Sequence, residues 1–512
     1  MAQIEIDNEA NGLFNRRQPP PDTVSRRIVP LVYLLLLALR PGAAPAAGRP
    51  ESPPPWIRYN EDYSFLADPS QRTDPFDFLK YISLGDAGYL SLGGDVRERF
   101  ESYTNETFNS KFPLAERKDD NSYFLQRYLF HIDYHPNDSV RVFGQLQSSL
   151  ECGRYHPRVT DRDAIDLHQM FVDLKTGIGS QGVLTLRLGR QEISYGAERL
   201  VGVREGPNDR RAFDAVRLSY KKDGLSLDTF ISTPVEVDPG QFDDQNVRRV
   251  LFWGTYATVP CPRLRGLKLD FYYFGLSKPS GVFIVPSVPP MQPVPPVYAQ
   301  SFATRPPTFA REERHTLGTR LAGTVGNWDM DNEALYQFGQ FGSGDISAFW
   351  IATDNGYTFK NLKWQPRLGL RAGIASGDRD PNNPDLQTLN PLFVRGNYFS
   401  EAGLLTTQNL MGFGPSIRIK PHPALNAELG CVNLWRESLG DGIYRPPGIP
   451  IFLGNKDFGR YVGTELILGA AWRATRHLGV AAAYSHFFAG DFIDQSNGDD
   501  ADFGALWLTF RF

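Results

Sequence analysis

Arginine is the residue type with the most chemistry to offer in this chain. Arg97, Arg99, Arg127, Arg141, Arg187, Arg217, Arg320, Arg367, Arg371 and Arg418 fall at polar positions of segments that alternate polar and apolar residues. Arg190 and Arg199 belong to an arginine-crowded stretch between two such segments, together with Arg204, Arg210 and Arg211. A guanidinium stays charged at any physiological pH, and its planar fork suits a carboxylate bidentately. Rings of arginine inside a pore select anions, because a fixed cation lowers the cost of dehydrating a passing anion. The competing reading is that these arginines pair with wall acids and only stiffen the wall. Acids at equivalent positions read as fewer, namely Asp95, Asp173, Glu333, Glu428 and Glu465. That surplus of arginine favours an anion-selective pathway.

Other chemistries find weaker support. Gly377-Asp378-Arg379-Asp380-Pro381-Asn382-Asn383-Pro384-Asp385 offers carboxylates and amides for Ca²⁺ but lacks the full EF-hand pattern, so it reads as a solvated turn. Glu151, Asp161, Asp163 and His168 lie close in sequence, yet acids beside arginines need no catalysis to explain them. Ser485 and His486 are adjacent, so on a strand they point to opposite faces and cannot act as nucleophile and base. Cys152, Cys261 and Cys431 have no metal-ligand spacing and suggest no disulfide framework. No phosphate-binding glycine loop stands in a convincing context. The chain therefore reads as no enzyme, with no catalytic residue, no metal and no cofactor. A net charge of -4 gives no sign of nucleic-acid binding.

Short strands must position the arginines. Leu184, Leu186 and Leu188 oppose Thr185 and Arg187; Val216, Leu218 and Tyr220 oppose Ala215, Arg217 and Ser219. Period-two alternation marks a strand with one apolar and one polar face. The same pattern recurs from Tyr89 to Phe512 in eighteen candidate strands, each near the ~10 residues a tilted strand needs to cross a bilayer. Aromatics are 13% of the 512 residues, and there are 48 glycines, which suits an all-β chain. A mean hydropathy of -0.35 excludes a helical membrane protein.

The connections separate a membrane barrel from a soluble sheet. His135-Pro136-Asn137-Asp138, Lys221-Lys222-Asp223-Gly224, Gly326-Asn327-Trp328, Lys420-Pro421-His422-Pro423 and Ala474-Thr475-Arg476 are short. Those between them are mostly long: 102–122, 151–165, 191–210, 278–313, 376–410 and 437–461. Outer-membrane barrels alternate short periplasmic turns with long extracellular loops in this way. Phe341 to Asp345 is short where a long loop is due, and 357–365 is longish where a turn is due. The last strand puts Leu506, Leu508, Phe510 and Phe512 on one face and stops on the aromatic. At the other end, Arg26-Arg27, the apolar run Ile28 to Leu39 and the small residues near Ala46-Ala47 read as a signal segment. Residues 1–47 are thus expected to be an extension and signal peptide. Residues 48–88 form an irregular arm rich in proline and aromatics, and 89–512 a transmembrane antiparallel β-barrel.

Several motifs resemble the bacterial alginate-export outer-membrane family. They are Leu188-Gly189-Arg190-Gln191-Glu192, Gly196, Arg199-Leu200, Asn208, Arg210-Arg211 and Phe213-Asp214. Ala375-Ser376-Gly377-Asp378, Asn390-Pro391-Leu392-Phe393, Ala471-Trp472-Arg473, His477-Leu478 and Tyr484 to Gly490 complete the set. The resemblance runs from about Tyr89 to Phe512. It implies a monomeric 18-stranded barrel whose arginine-rich constriction passes an anionic polyuronate without energy coupling. One departure stands out: the family's best-known barrel has a long periplasmic turn that plugs the pore, and here that turn is only Ala474-Thr475-Arg476.

The expectation is an outer-membrane, anion-selective channel of a Gram-negative bacterium, exporting or passing a polyuronate such as alginate. A general porin for other small anionic solutes is the alternative, and an outer-membrane barrel enzyme or adhesin the more distant one. The expected partners are an anionic polysaccharide or small anions, outer-membrane lipid and the barrel-assembly machinery.

Overall fold

Each alternating segment is a strand hydrogen-bonded to the next in sequence, and the last returns to the first. The computed structural model describes residues 57–110, 119–247, 249–283, 308–380 and 382–512. The first six barrel strands are β1 (Tyr89–Thr104), β2 (Asn121–Asn137), β3 (Val140–Cys152), β4 (Asp163–Ile178), β5 (Gly182–Gln191) and β6 (Phe213–Lys222). Next come β7 (Leu225–Glu236), β8 (Leu251–Pro260), β9 (Leu267–Phe283), β10 (Thr308–Val325), β11 (Trp328–Phe341) and β12 (Gly344–Thr358). The last six are β13 (Arg367–Ala375), β14 (Leu410–His422), β15 (Leu425–Arg436), β16 (Tyr461–Arg473), β17 (Leu478–Ala489) and β18 (Ala501–Arg511). β1 pairs antiparallel with β18, Asp95 opposite Arg511, which closes an 18-stranded barrel and leaves no free edge.

The two ends of the barrel differ. At one end, adjacent strands join in tight turns; Asp223 and Gly224 both take positive φ (49° and 81°), as a type I′ hairpin turn requires. At the other end, the connections are long, except where β11 meets β12. There the segment around Leu386, from the β13–β14 connection, lies against the short hairpin, with Ser347 N–H donating to the Leu386 carbonyl at 3.0 Å. A borrowed segment thus covers the rim where the chain supplies no loop of its own. The expected signal segment lies outside the described residues.

Strand parity sorts side chains as alternation predicts. Phe124, Phe271, Leu317, Ile351 and Leu506 face outward and are exposed, whereas Arg97, Arg127, Gln145, Asp173 and Gln337 face the lumen and are buried. Toward the long-loop end the inward positions turn apolar. Phe213, Phe230, Phe252, Tyr256 and Phe274 on the wall enclose Ile193, Tyr195, Leu200 and Val201 from the β5–β6 connection. A second cluster joins Tyr103, Leu434, Phe487 and Phe503 on the wall to Leu404, Ile443, Phe452 and Phe492 from connections. Burying a side chain of this size contributes about 1.5–3 kcal/mol, so these connections are docked inside the barrel rather than draped over its rim.

The arm preceding β1 is irregular, as its composition predicts, with short helical turns such as Arg58–Asn60 and Asp77–Lys80. It closes the short-turn end. Tyr59 is buried edge-on against Phe143 and Phe171 (6.3 and 5.5 Å between ring centroids). Phe76 packs on Phe510 and Phe512, and the Phe512 carbonyl accepts from Gly94 N–H (3.1 Å) and from Arg58 Nη2 (2.7 Å). Deleting Phe512 removes that acceptor and the ring contact together, at a cost of roughly 1–3 kcal/mol. Phe512→Ala keeps the carbonyl. In thermal unfolding of the detergent-purified protein, the deletion is expected to lower the midpoint more than the alanine variant.

Candidate functional site

Carboxylates meet the arginines singled out from the sequence, and burial favours that pairing, because an unpaired charge taken out of water costs several kcal/mol. Arg187 grips Asp173 through Nε and Nη2 at 2.7 and 2.8 Å, and Arg141 grips Asp133 at 2.7 Å through both nitrogens. Arg217 pairs with Asp228 (2.8 Å) and Arg99 with Glu101 (2.5 Å) and Glu401 (3.4 Å). Arg320 bridges Asp270 and Asp331 (2.8 and 2.6 Å). The surplus of arginine inferred from the sequence is therefore corrected. Asp133, Asp228, Asp270, Asp329, Asp331, Asp354 and Glu101 add wall acids, and Glu205 and Glu401 arrive from connections.

The β5–β6 connection folds into the lumen and builds the central network. Glu205 accepts from Arg127 at 2.5 Å and from Arg210 at 2.7 Å, and stands 3.6 Å from Arg97. Arg97 also donates to the carbonyls of Glu205 (2.9 Å) and Pro207 (3.2 Å). Arg210 reaches Glu192 (2.6 Å), which meets His168 at 2.9 Å. Asn208 Nδ2 donates to the carbonyls of Gln126 (2.9 Å) and Leu150 (3.1 Å), so the connection is stitched to β2 and β3. Burial pushes the Glu205 carboxyl up, but Arg127, Arg210 and Arg97 together hold it below the usual carboxylate range. Burial likewise pushes Asp209 up, to about 7.

The β13–β14 connection also turns inward and pairs with the first. Val201 bridges Phe393 in parallel, Gly202 N–H donates to the Phe393 carbonyl (3.0 Å), and Phe393 N–H to that of Leu200 (2.8 Å). From below, the arm meets the same element: Tyr59 Oη donates to the Glu192 carbonyl at 3.0 Å, and the Arg187 guanidinium lies 4.2 Å from the Tyr59 ring centroid.

The inward connections leave a cavity of about 450 Å³ against the wall formed by β11 to β18. Arg199, Arg367, Arg371 and Arg418 line it, with Asp331, Asp354, Glu401 and Glu428. Arg199 enters from the β5–β6 connection and pairs with Asp331 (2.7 Å) and Glu333 (2.8 Å). Arg367 pairs with Asp329 (2.5 Å), Arg371 with Asp354 (3.1 Å) and Arg418 with Glu428 (2.8 Å). Arg371 Nη1 additionally holds the carbonyls of Tyr398 and Phe399, at 2.9 and 3.1 Å.

The twelve arginines singled out from the sequence thus divide. Arg367, Arg371 and Arg418 border open space, and Arg199 lines the same cavity from a buried position. Arg97, Arg127 and Arg187 lie buried beneath the connection and the arm. Arg99 borders a smaller cavity of about 90 Å³ at Glu401, while Arg141, Arg217 and Arg320 are paired on the wall. Arg190 is a correction. It lies opposite Asp214 in the β5–β6 register, on the outward face with Leu188 and Val216, and pairs with Asp214 at 2.9 Å. It stands three positions after Arg187, and an odd step along a strand changes face.

A model of the alginate-export family matches residues 88–505. The chain belongs to the alginate-export family. No curated protein matches the chain. Among solved structures, it is similar to OccK8 (OprE) of Pseudomonas aeruginosa at 11% identity, covering 83% of this chain and 98% of that one, with a TM-score of 0.51. A BenF-like porin from Pseudomonas fluorescens Pf-5 follows at 8% identity, with 83% and 99% coverage and a TM-score of 0.50. OpdO of Pseudomonas aeruginosa stands at 12% identity, with 83% and 97% coverage and a TM-score of 0.50. At such identities the likeness is one of fold alone.

Sequence reasoning missed Glu205 and Tyr59 and met Glu192 only within a family motif, and none of the three belongs to a barrel strand. A signal was available: a connection holding Glu192, Glu198, Glu205 and Asp209 against Arg199, Arg204, Arg210 and Arg211 carries balanced charge of the kind that pairs inside a fold. Glu205→Gln leaves Arg97 and Arg127 short of a counter-charge, and breaking a buried pair costs about 3–5 kcal/mol. Hydrogen exchange is expected to accelerate across 192–212 while the barrel strands stay protected. Because the Glu205 carboxyl titrates below its ordinary value, its contribution is present at neutral pH. It is lost only as pH falls through that lowered value, so docking of 192–212 is expected to persist at pH 5.

Proposed function

We propose that this family member is an outer-membrane channel of a Gram-negative bacterium that passes an anionic polyuronate such as alginate along the cavity bordered by Arg199, Arg367, Arg371 and Arg418. The observation that carries the reading is the contrast between two kinds of ion pair. Arg187–Asp173 is sealed, with side chains 10% and 1% exposed, whereas Arg418–Glu428 is open at 42% and 33%. Arg371–Asp354 is nearly as open, at 33% and 30%. An exposed pair is worth only about 0–1 kcal/mol, so an incoming carboxylate can exchange for the wall acid at little cost. A polyuronate carries a carboxylate on every sugar and can leave one guanidinium as it reaches the next. Weak binding at several sites permits flux, whereas one tight site would trap the chain. The wall acids repel the same ligand, so they limit residence as well as entry.

The outward band of Phe124, Phe271, Leu317, Ile351 and Leu506 is the surface offered to lipid, and the short-turn end is assigned to the periplasm. Outer-membrane lipid and the barrel-assembly machinery are the chain's proposed partners. The chain acts as a monomer and as a conduit, not as an enzyme. A general pathway for other small anionic solutes is the second reading, favoured by how far the inward connections narrow the lumen.

Planar-bilayer recordings test the assignment. Replacing Arg371 and Arg418 together by Glu is expected to lower or reverse anion preference and to weaken block by added polyuronate about tenfold or more, tenfold being 1.4 kcal/mol. Arg190→Gln, on the outer face, is expected to leave ion preference unchanged. A folded double variant with wild-type selectivity and block would show that these arginines only brace the wall. Block by small monocarboxylates but not by polyuronate would instead favour the second reading.

A further inference from the structure

At the long-loop end, the start of β4 and the β7–β8 connection bring three carboxylates together away from the cavity. Ligand oxygens of Asp163, Asp166 and Asp244 all lie within 4.8 Å of one another. Clustered acids alone say little, but a second observation points to a ligand. Asp163 is 1% exposed, and both of its carboxylate oxygens are buried with no hydrogen-bond partner; Asp166, 2% exposed, leaves Oδ2 in the same state. Among the described residues no cation fills the gap. Arg190 is taken by the Asp214 carboxylate and Arg204 by that of Asp209, and no ion pair within 4.0 Å reaches the three aspartates. A buried, donor-starved carboxylate beside two more acids is costly unless a cation or a proton is supplied.

We propose that Asp163, Asp166 and Asp244 form a calcium site. The donors are all hard oxygens, which excludes a preference for soft transition metals. Calcium takes six to eight oxygens at 2.3–2.6 Å in flexible geometry, so ligands on opposite sides of it stand up to roughly 5 Å apart, in keeping with the cluster. The backbone presets the arrangement. Asp244 N–H donates to Asp166 Oδ1 (3.3 Å), Asp238 N–H to Asp244 Oδ1 (2.8 Å), and Phe242 N–H to the Ile165 carbonyl (2.9 Å). The first and third bonds lace the connection to β4, the second braces Asp244 within it, and the remaining carboxylate oxygens are left free to bind. The ion would pin the β7–β8 connection to the barrel mouth.

The test uses the full chain in detergent, stripped with chelator and titrated with CaCl₂ while thermal unfolding and calorimetric binding are followed. Expected are one calcium bound per chain, a higher unfolding midpoint, and reversal by chelator. Asp244→Asn, at a partly exposed loop position, is expected to weaken binding at least tenfold. Asp163→Asn is expected to abolish the calcium response while raising the midpoint of the stripped protein, since it removes like-charge repulsion. No saturable calcium binding by the wild type would overturn the proposal, as would a wild-type response in both variants. So would a midpoint that rises on acidification but ignores calcium, which would mark a shared proton. Should Asp163→Asn not fold, Asp244→Asn alone decides.

Discussion

A guanidinium buried inside a barrel needs acceptors, carboxylates for Arg97, Arg127 and Arg187 and backbone carbonyls for Arg436, and the lumen is organised around that demand. A wall strand meets part of it, as Asp173 does for Arg187 on the neighbouring strand. It cannot meet all of it, because alternation allows only one inward side chain per two residues. The deficit around Arg97 and Arg127 is made good by Glu205, from a connection that has to leave the rim and descend into the barrel. Once there, the connection needs an apolar seat, and Phe230, Phe252, Tyr256 and Phe274 supply it from inward positions that would face water in an open pore. Electrostatics thus dictates the path of the chain, and hydrophobic burial holds it there.

The barrel was legible because its two constraints are local. Leu184, Leu186 and Leu188 alternating with Thr185 and Arg187 identify both the strand and its faces, and short turns alternating with long connections order the strands. The interior was not legible, because strand parity is silent on connections. Glu205 looks like any loop acid until the chain folds inward. Arg190 shows a different failure: it belongs to the arginine-crowded stretch, but the last residues of β5 keep the strand's period and carry it outward. The count of wall acids failed for a different reason: Asp331 lies two residues before Glu333 on one strand and shares its inward face, yet the count left it out.

The lumen has two unlike halves. Beside β1 to β5, guanidiniums are sealed beneath Glu205, Tyr59 and Asp173 and act as fasteners. Beside β11 to β15, the same residue type borders open space with partners that solvent reaches. Identical side chains are structural in one half and available in the other, and the difference lies in what covers them. Residue type alone could not have separated Arg187 from Arg418.

The hydrogen bond from Tyr59 to the Glu192 carbonyl joins two elements that enter the barrel from opposite ends. It makes them a mechanical series. A pull on the arm would be felt at Tyr59, then along the backbone at Glu192, whose side chain holds Arg210, which in turn holds Glu205. Force applied at one face of the barrel thus has a bonded route to a latch near its middle, without any movement of the strands.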